Sequence, residues 1–373
     1  MTKPEFSAGL ADIVVGETNI CFVDPNGTLL YRGFSADELS ERLSFEEIAH
    51  LLLIGHLPEK EELKKFSEAI KKERNVPDEL LNVIKLFPKD AHPMDILRTS
   101  VSYLGMLDKD AGDKSREANL KKAVKLLAKL PTIMTAAHRI SHGERPVEPD
   151  PSLNHSQNLL YMLFGKKPAD IEAEAVNASL ILYAEHEFNA STFAARVTAS
   201  TLSDMYAAVT SGIGTLKGPL HGGANEAAMY MMKEIGEPHK AESYIMEKLA
   251  KKEKIMGFGH RVYKSVDSRA EVMRSVARKL SENFGETKWY KIEEKLVEVM
   301  KREKNIFPNL DLPCAIVYYM LNIPIPLYTP IFVCSRVSGW AAHVMEQLDN
   351  NKLIRPSSIY TGNPKRNLPP EAI

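Results

Sequence analysis

Ser44-Phe45-Glu46-Glu47-Ile48-Ala49-His50-Leu51-Leu52-Leu53-Ile54-Gly55 reads as a helix with both ends written into it. Ser44 and Glu47 have the spacing of a capping box, in which serine and glutamate satisfy each other's free backbone donors. The apolar run behind them stops near Gly55 and Pro58, two residues that end helices. Just upstream, Ser35-Ala36-Asp37-Glu38 has the same capping-box spacing. Before it, Asn19–Val23 and Thr28–Arg32 flank Asp24-Pro25-Asn26-Gly27, two β-rich runs around a turn. After it, helices are expected at about 59–74, 77–86, 93–108, 115–129, 131–142, 152–164 and 168–187. More follow near 191–211, 223–235, 240–252, 268–284, 288–303, 311–321 and 334–349, with Pro, Gly or Asn in most gaps. The chain is mainly α with a small N-terminal β element.

At 373 residues the chain exceeds the usual size of one compact core, so two domains are expected. Gly212-Ile213-Gly214-Thr215-Leu216-Lys217-Gly218-Pro219 is the best hinge candidate, and Pro324-Ile325-Pro326 is a second break. A small domain, 222–319, inserted into a larger one made of 1–221 and 320–373, follows from those breaks. The formal net charge is −1, so no global field gathers nucleic acid or an anionic membrane. No apolar run approaches bilayer length, and the first residues carry no signal-peptide core. Cys21, Cys314 and Cys334 form no CxxC pair. A reduced, cytoplasmic chain without disulfides fits best. Gln157 and Gln347 are the only glutamines among abundant Lys and Glu, which leans toward a thermophilic source.

Five segments carry groups suited to chemistry. Gly257-Phe258-Gly259-His260-Arg261-Val262-Tyr263-Lys264-Ser265-Val266-Asp267-Ser268-Arg269 puts a histidine and an arginine on one bare loop. An imidazole donates to a carbonyl and a guanidinium fork holds a carboxylate; alone, GxGH is also a plain turn. His221 in Gly218-Pro219-Leu220-His221-Gly222-Gly223-Ala224-Asn225 precedes a helix start that disfavours the imidazolium. A neutral histidine at a helix start is the donor in triosephosphate isomerase, and an incidental histidine is the alternative here. Asp311 in Phe307-Pro308-Asn309-Leu310-Asp311 is a general base or only an N-cap. His186 in Ala184-Glu185-His186-Glu187-Phe188-Asn189-Ala190-Ser191-Thr192 sits where one helix ends and another begins. There it serves a site or bonds a free carbonyl. Arg336, on an apolar helix, needs either a buried salt bridge or an anion, and Arg355 follows in the tail. His138 and His142 have a metal-like spacing, but the intervening Arg139-Ile140-Ser141 lacks the Glu of a zincin motif, so they read as surface residues.

Taken together and in order, the segments at 218–225, 257–269 and 307–311 resemble citrate synthase, over essentially the whole chain from the Asp24–Gly33 hairpin to Arg355. The resemblance implies a two-domain helical fold that closes over its substrates. It implies condensation of oxaloacetate with acetyl-CoA and water to citrate and CoA, without metal or further cofactor. It assigns catalysis to His221, His260 and Asp311. Oxaloacetate would be held by His186, Arg269, Arg336 and Arg355, the last reaching across a homodimer. CoA would meet Gly257, Gly259, Lys264 and Lys304. Ser268 and Leu312-Pro313-Cys314 depart from the commonest family pattern and leave the acyl group open. Propionyl-CoA, hence 2-methylcitrate synthesis, is the nearest rival, since one methylene is worth only about 1–3 kcal/mol. A non-catalytic helical binding protein would have lost a proton carrier, and a histidine metal hydrolase would need a metal.

Overall fold

The computed structural model describes residues 7–10, 13–260, 262–263 and 266–368. Alternation between buried and accessible side chains makes strands β1 (Cys21–Val23) and β2 (Leu29–Tyr31), which pair antiparallel with Cys21 opposite Tyr31. Gly27 turns the chain between them at φ 109, which favours glycine. A third strand, β3 (Phe34–Ser35), was not expected from the sequence and adds to the β2 edge. The Tyr31 hydroxyl donates to the Ile181 carbonyl at 3.0 Å and ties this sheet to the helical body.

Sixteen α-helices follow among the described residues. They are α1 (Ala36–Arg42), α2 (Phe45–Ile54), α3 (Lys60–Glu73), α4 (Asp78–Ile84), α5 (Pro93–Leu107) and α6 (Arg116–Ser141). Next come α7 (His155–Phe164), α8 (Asp170–Tyr183), α9 (Ala190–Ser200), α10 (Met205–Leu216) and α11 (Ala224–Ile235). The last are α12 (Ala241–Ala250), α13 (Ser268–Phe284), α14 (Lys288–Lys304), α15 (Asp311–Met320) and α16 (Tyr328–Asp349). No described helix is long and apolar enough to cross a membrane.

Ser44 caps α2 as its spacing requires, and Glu47 accepts from the Ser44 backbone at 2.7 Å. Ser35, by contrast, makes no side-chain cap on α1, because the residue also belongs to β3. The expected break at Pro131 is absent, and α6 runs through it. Residues 130–137 are all buried against neighbours, and that packing outweighs the one backbone bond the ring removes. The single helix expected at 191–211 is two. Leu202 turns left-handed at φ 64, and Asp204 starts α10 by accepting from the Ala207 N–H at 2.9 Å. The proposed hinge is helical as far as Leu216. Gly212 is there for packing, since a Cβ would lie 3.1 Å from the Trp340 ring. The last helix begins at Tyr328, six residues earlier than the expected 334. Pro330 falls in its first turn, where no N–H is needed.

α16 is the centre of the fold and nearly all of it is buried. α2, α5, α6, α8, α9 and α10 pack around it. α11 and α13 pack on α15, and α12 packs on α14. The joint between α8 and α9, the N-terminus of α15 and the middle of α16 therefore converge, and they carry the candidate residues.

Candidate active site

The loop at 257–260 is shaped by pairing with 307–309. The Gly259 N–H donates to the Phe307 carbonyl at 3.0 Å, and the Asn309 N–H donates to the Gly257 carbonyl at 3.0 Å. The Asn309 amide closes the pair by donating to the Gly259 carbonyl at 3.0 Å. Gly257 and Gly259 take φ 78 and φ 79, values that a side chain resists. At Gly257 a Cβ would also lie 2.7 Å from Leu312 Cβ. These contacts seat His260 beside the start of α15, where Asp311 is the first helical residue.

His260 Nδ1 accepts from the backbone N–H groups of Val262 and Tyr263 at 3.1 and 3.2 Å. A nitrogen that accepts twice carries no proton, so the ring N–H is on Nε2. Burial, helped by the Arg269 charge, lowers the His260 pKa to about 4. The ring stacks on Tyr263 with centroids 4.4 Å apart, and His186 lies 4.8 Å away. His186 is buried, its Nε2 is 3.2 Å from the Tyr263 hydroxyl, and burial and Arg269 push its pKa well down. The ring meets both a side chain, the Tyr263 hydroxyl, and the helix-end backbone at residue 186 that the local sequence offered as an alternative.

His221 is seated on the other side of the site. Its turn is held by the Gly222 N–H donating to the Leu216 carbonyl at 2.9 Å. A Cβ at Gly222 would lie 2.7 Å from that same carbonyl oxygen. His221 Nε2 accepts from the Ser191 backbone N–H at 3.3 Å and lies 2.8 Å from the Ser191 hydroxyl. The ring proton is therefore on Nδ1. Burial, then the Arg336 charge, lowers its pKa to about 3. Asn189 and Trp340 Nε1 hold the Ser191 hydroxyl at 2.7 and 3.2 Å.

Asp311 accepts from the Tyr183 hydroxyl at 2.7 Å. Burial raises its pKa to about 6, against the opposing pull of that hydrogen bond and of Arg269. Arg269 is buried and forks onto Asp267, with Nε and Nη2 each 2.9 Å from a carboxylate oxygen. Asp267 also accepts from the Leu310 N–H at 3.3 Å, which ties α13 to the start of α15. Arg336 is buried on α16, donates from Nε to the Tyr183 carbonyl at 2.7 Å and stacks 4.4 Å from the Phe332 ring centre. Burial lowers its pKa to about 10. No carboxylate lies within salt-bridge distance of it among the described residues, which favours the anion-site alternative for this arginine.

Beneath His186, Glu185 is fully buried and accepts from His343 Nε2 at 2.8 Å. His343 Nδ1 faces Arg196 at 3.0 Å, and Arg196 pairs with Glu346 at 2.7 Å. This row packs α9 and the α8–α9 joint onto α16.

The structure thus brings together His186, His221, His260, Arg269, Asp311 and Arg336. Arg355 and Lys304 stay exposed, the first in the irregular tail and the second at the end of α14. Lys264 lies outside the described residues. Tyr183, Ser191, Asp267 and Asn309 join the site without having been singled out as site residues. Only the last two had a signal, a helix start and a Pro-Asn turn.

Solved structures with the same fold are citrate synthases. The enzyme from Thermotoga maritima is 38% identical, covers 98% of each chain and superposes with a TM-score of 0.89. The Thermoplasma acidophilum enzyme, solved with carboxymethyl-CoA and oxaloacetate, is 35% identical, covers 99% of each chain and gives 0.94. Citrate synthase 2 of Bacillus subtilis is 47% identical over 97% of each chain. A 2-methylcitrate synthase of Mycobacterium tuberculosis is 46% identical over 98% of this chain and 93% of its own. The family model described as citrate synthase, C-terminal domain, matches residues 9–357. Fold and relatives define an acyltransferase. The chain belongs to the citrate synthase family.

Proposed function

We propose that the chain joins acetyl-CoA to oxaloacetate and, with water, releases citrate and CoA. One observation carries this reading. Two neutral histidines offer N–H donors from opposite ring nitrogens, near a carboxylate held in the range of a useful base. A thioester methyl is a weak carbon acid, so its proton needs a base and a stabilised oxygen at once. Asp311 takes the methyl proton while His221 Nδ1–H donates to the thioester oxygen. The resulting carbon attacks the oxaloacetate ketone, and His260 Nε2–H donates to the oxygen that becomes the citryl hydroxyl. Water then cleaves the thioester.

His186, Arg269 and Arg336 hold oxaloacetate, Arg269 through Nη1, which lies outside its fork with Asp267. Arg355 acts from the second subunit of a homodimer, in keeping with its exposure on one chain. Gly257 and Gly259 let the CoA chain approach, and Lys264 and Lys304 meet its phosphates. Residues 222–319 close as a small domain on 1–221 and 320–373. Buried free thiols at Cys21, Cys314 and Cys334 support a cytoplasmic setting. Surface ion pairs of Glu242 with Lys295 and Arg302 support a thermophilic source.

Thiol release with oxaloacetate and each acyl-CoA in turn tests the substrate. A higher kcat/KM with acetyl-CoA is expected. A higher value with propionyl-CoA would replace this reading with 2-methylcitrate synthesis, the activity named for the Mycobacterium relative. Mixing Arg355→Ala with Asp311→Asn subunits should restore one working site per heterodimer. Failure of that rescue would place Arg355 in its own subunit's site.

A further inference from the structure

We propose that His50, His56 and Glu62 form a binding site for one borderline divalent cation such as Zn2+, which staples α2 to α3. One ring nitrogen from each histidine and one carboxylate oxygen lie within 4.8 Å of one another. The three come from three separate local structures. His50 is on α2 and buried. His56 follows Gly55, which turns the chain out of α2 at φ 113. Glu62 is in the first turn of α3 and closes its capping box, with Oε2 accepting from the Glu59 N–H at 2.9 Å.

The outer contacts suit a metal site. His50 Nδ1 lies 3.0 Å from the His56 carbonyl. A carbonyl only accepts, so Nδ1 bears the proton and the imidazole keeps a lone pair on its other nitrogen. A ligating histidine is commonly oriented by such a bond. His56 Nε2 lies 3.4 Å from both Glu62 oxygens, a loose contact between two exposed side chains. Around a zinc ion at 2.0–2.2 Å the donors stand about 3.3 Å apart. Closing from 4.8 Å therefore needs His56 and Glu62 to swing inward while His50 stays fixed. Two imidazoles and a carboxylate select zinc-like ions over Mg2+ or Ca2+, which prefer oxygen ligands. His138 and His142 make the contrast, with rings 4.3 Å apart but no carboxylate to complete a set among the described residues. None of the three ligands belongs to the condensing site. The ion would therefore hold the 55–59 connection and leave catalysis alone.

The test uses the full chain, stripped with a chelator and dialysed, then titrated with zinc chloride by calorimetry and melted with and without zinc. One zinc per chain and a higher Tm are expected for the wild type. His56→Ala and Glu62→Gln, both at exposed positions, should weaken binding about tenfold or more and remove the Tm rise, with thiol release from acetyl-CoA unchanged. Zinc binding that is absent, or equally tight in both variants, overturns the site. A Tm rise that persists in both variants would assign the ion to other histidines and overturn it too.

Discussion

His221 and His260 face one site but are seated by different means. His260 is held within its own loop, by amides two and three residues ahead of it. His221 is held by a residue 30 positions away, through both the backbone and the hydroxyl of Ser191. The first seat depends on backbone shape and the second on the meeting of a turn with helix α9. Because the accepting nitrogens differ, the two rings offer protons from opposite edges, and one carboxylate can lie near both.

The harshest break of that arrangement is at Asp311, the proposed base. Asp311→Asn should lower thiol release by about 10³–10⁴-fold while the fold, followed by circular dichroism, remains. A drop of only a few-fold would mean that another base is at work. The loop seat is broken through its backbone. Gly257→Ala meets both the positive φ and the 2.7 Å approach to Leu312 Cβ, so kcat should fall roughly 10²-fold. Gly259→Ala meets only the φ, because its nearest neighbour would be 3.7 Å away. It should cost about 1–2 kcal/mol of stability in a melt and less activity. Equal effects would show that space at Leu312 does not matter.

The helix-borne seat should resist better. Ser191→Ala removes the hydroxyl but leaves the backbone N–H that sets the His221 tautomer. About a tenfold loss of kcat is expected, the worth of one hydrogen bond of about 1.4 kcal/mol. A loss as large as that of Asp311→Asn would put the tautomer under the hydroxyl's control. The mildest expected effect is a displacement along the pH axis. Asp311 must be ionised to accept a proton, and its pKa of about 6 puts the acid limb of kcat/KM near that pH. Activity is lost as pH falls through that value. Tyr183→Phe removes a hydrogen bond that favours the carboxylate, so the limb should move to higher pH. An unmoved limb would show that Tyr183 does not tune the base.

The same contrast explains what could be read beforehand. The His260 loop was legible because its cause is local: glycines, a short spacing, a helix-starting Asp267. Most helices were legible too, since caps and apolar period are local properties. Ser191 and Tyr183 were not, because nothing near either one reveals that it will meet His221 or Asp311 across the fold. Pro131 misled for a related reason. Its rule is local, while the packing that keeps α6 continuous is not. The break at Leu202 had a signal in Asp204, hidden inside a run of otherwise helical residues.

The backbone bonds between 257–259 and 307–309 set how this site comes apart. An amide engaged between two segments exchanges its hydrogen with water only when the segments separate. The Gly259 and Asn309 amides each lie in that seam. They should therefore take up deuterium at a common rate, one opening event releasing both. The segment bearing His260 and the segment bearing Asp311 would then open as one cooperative unit.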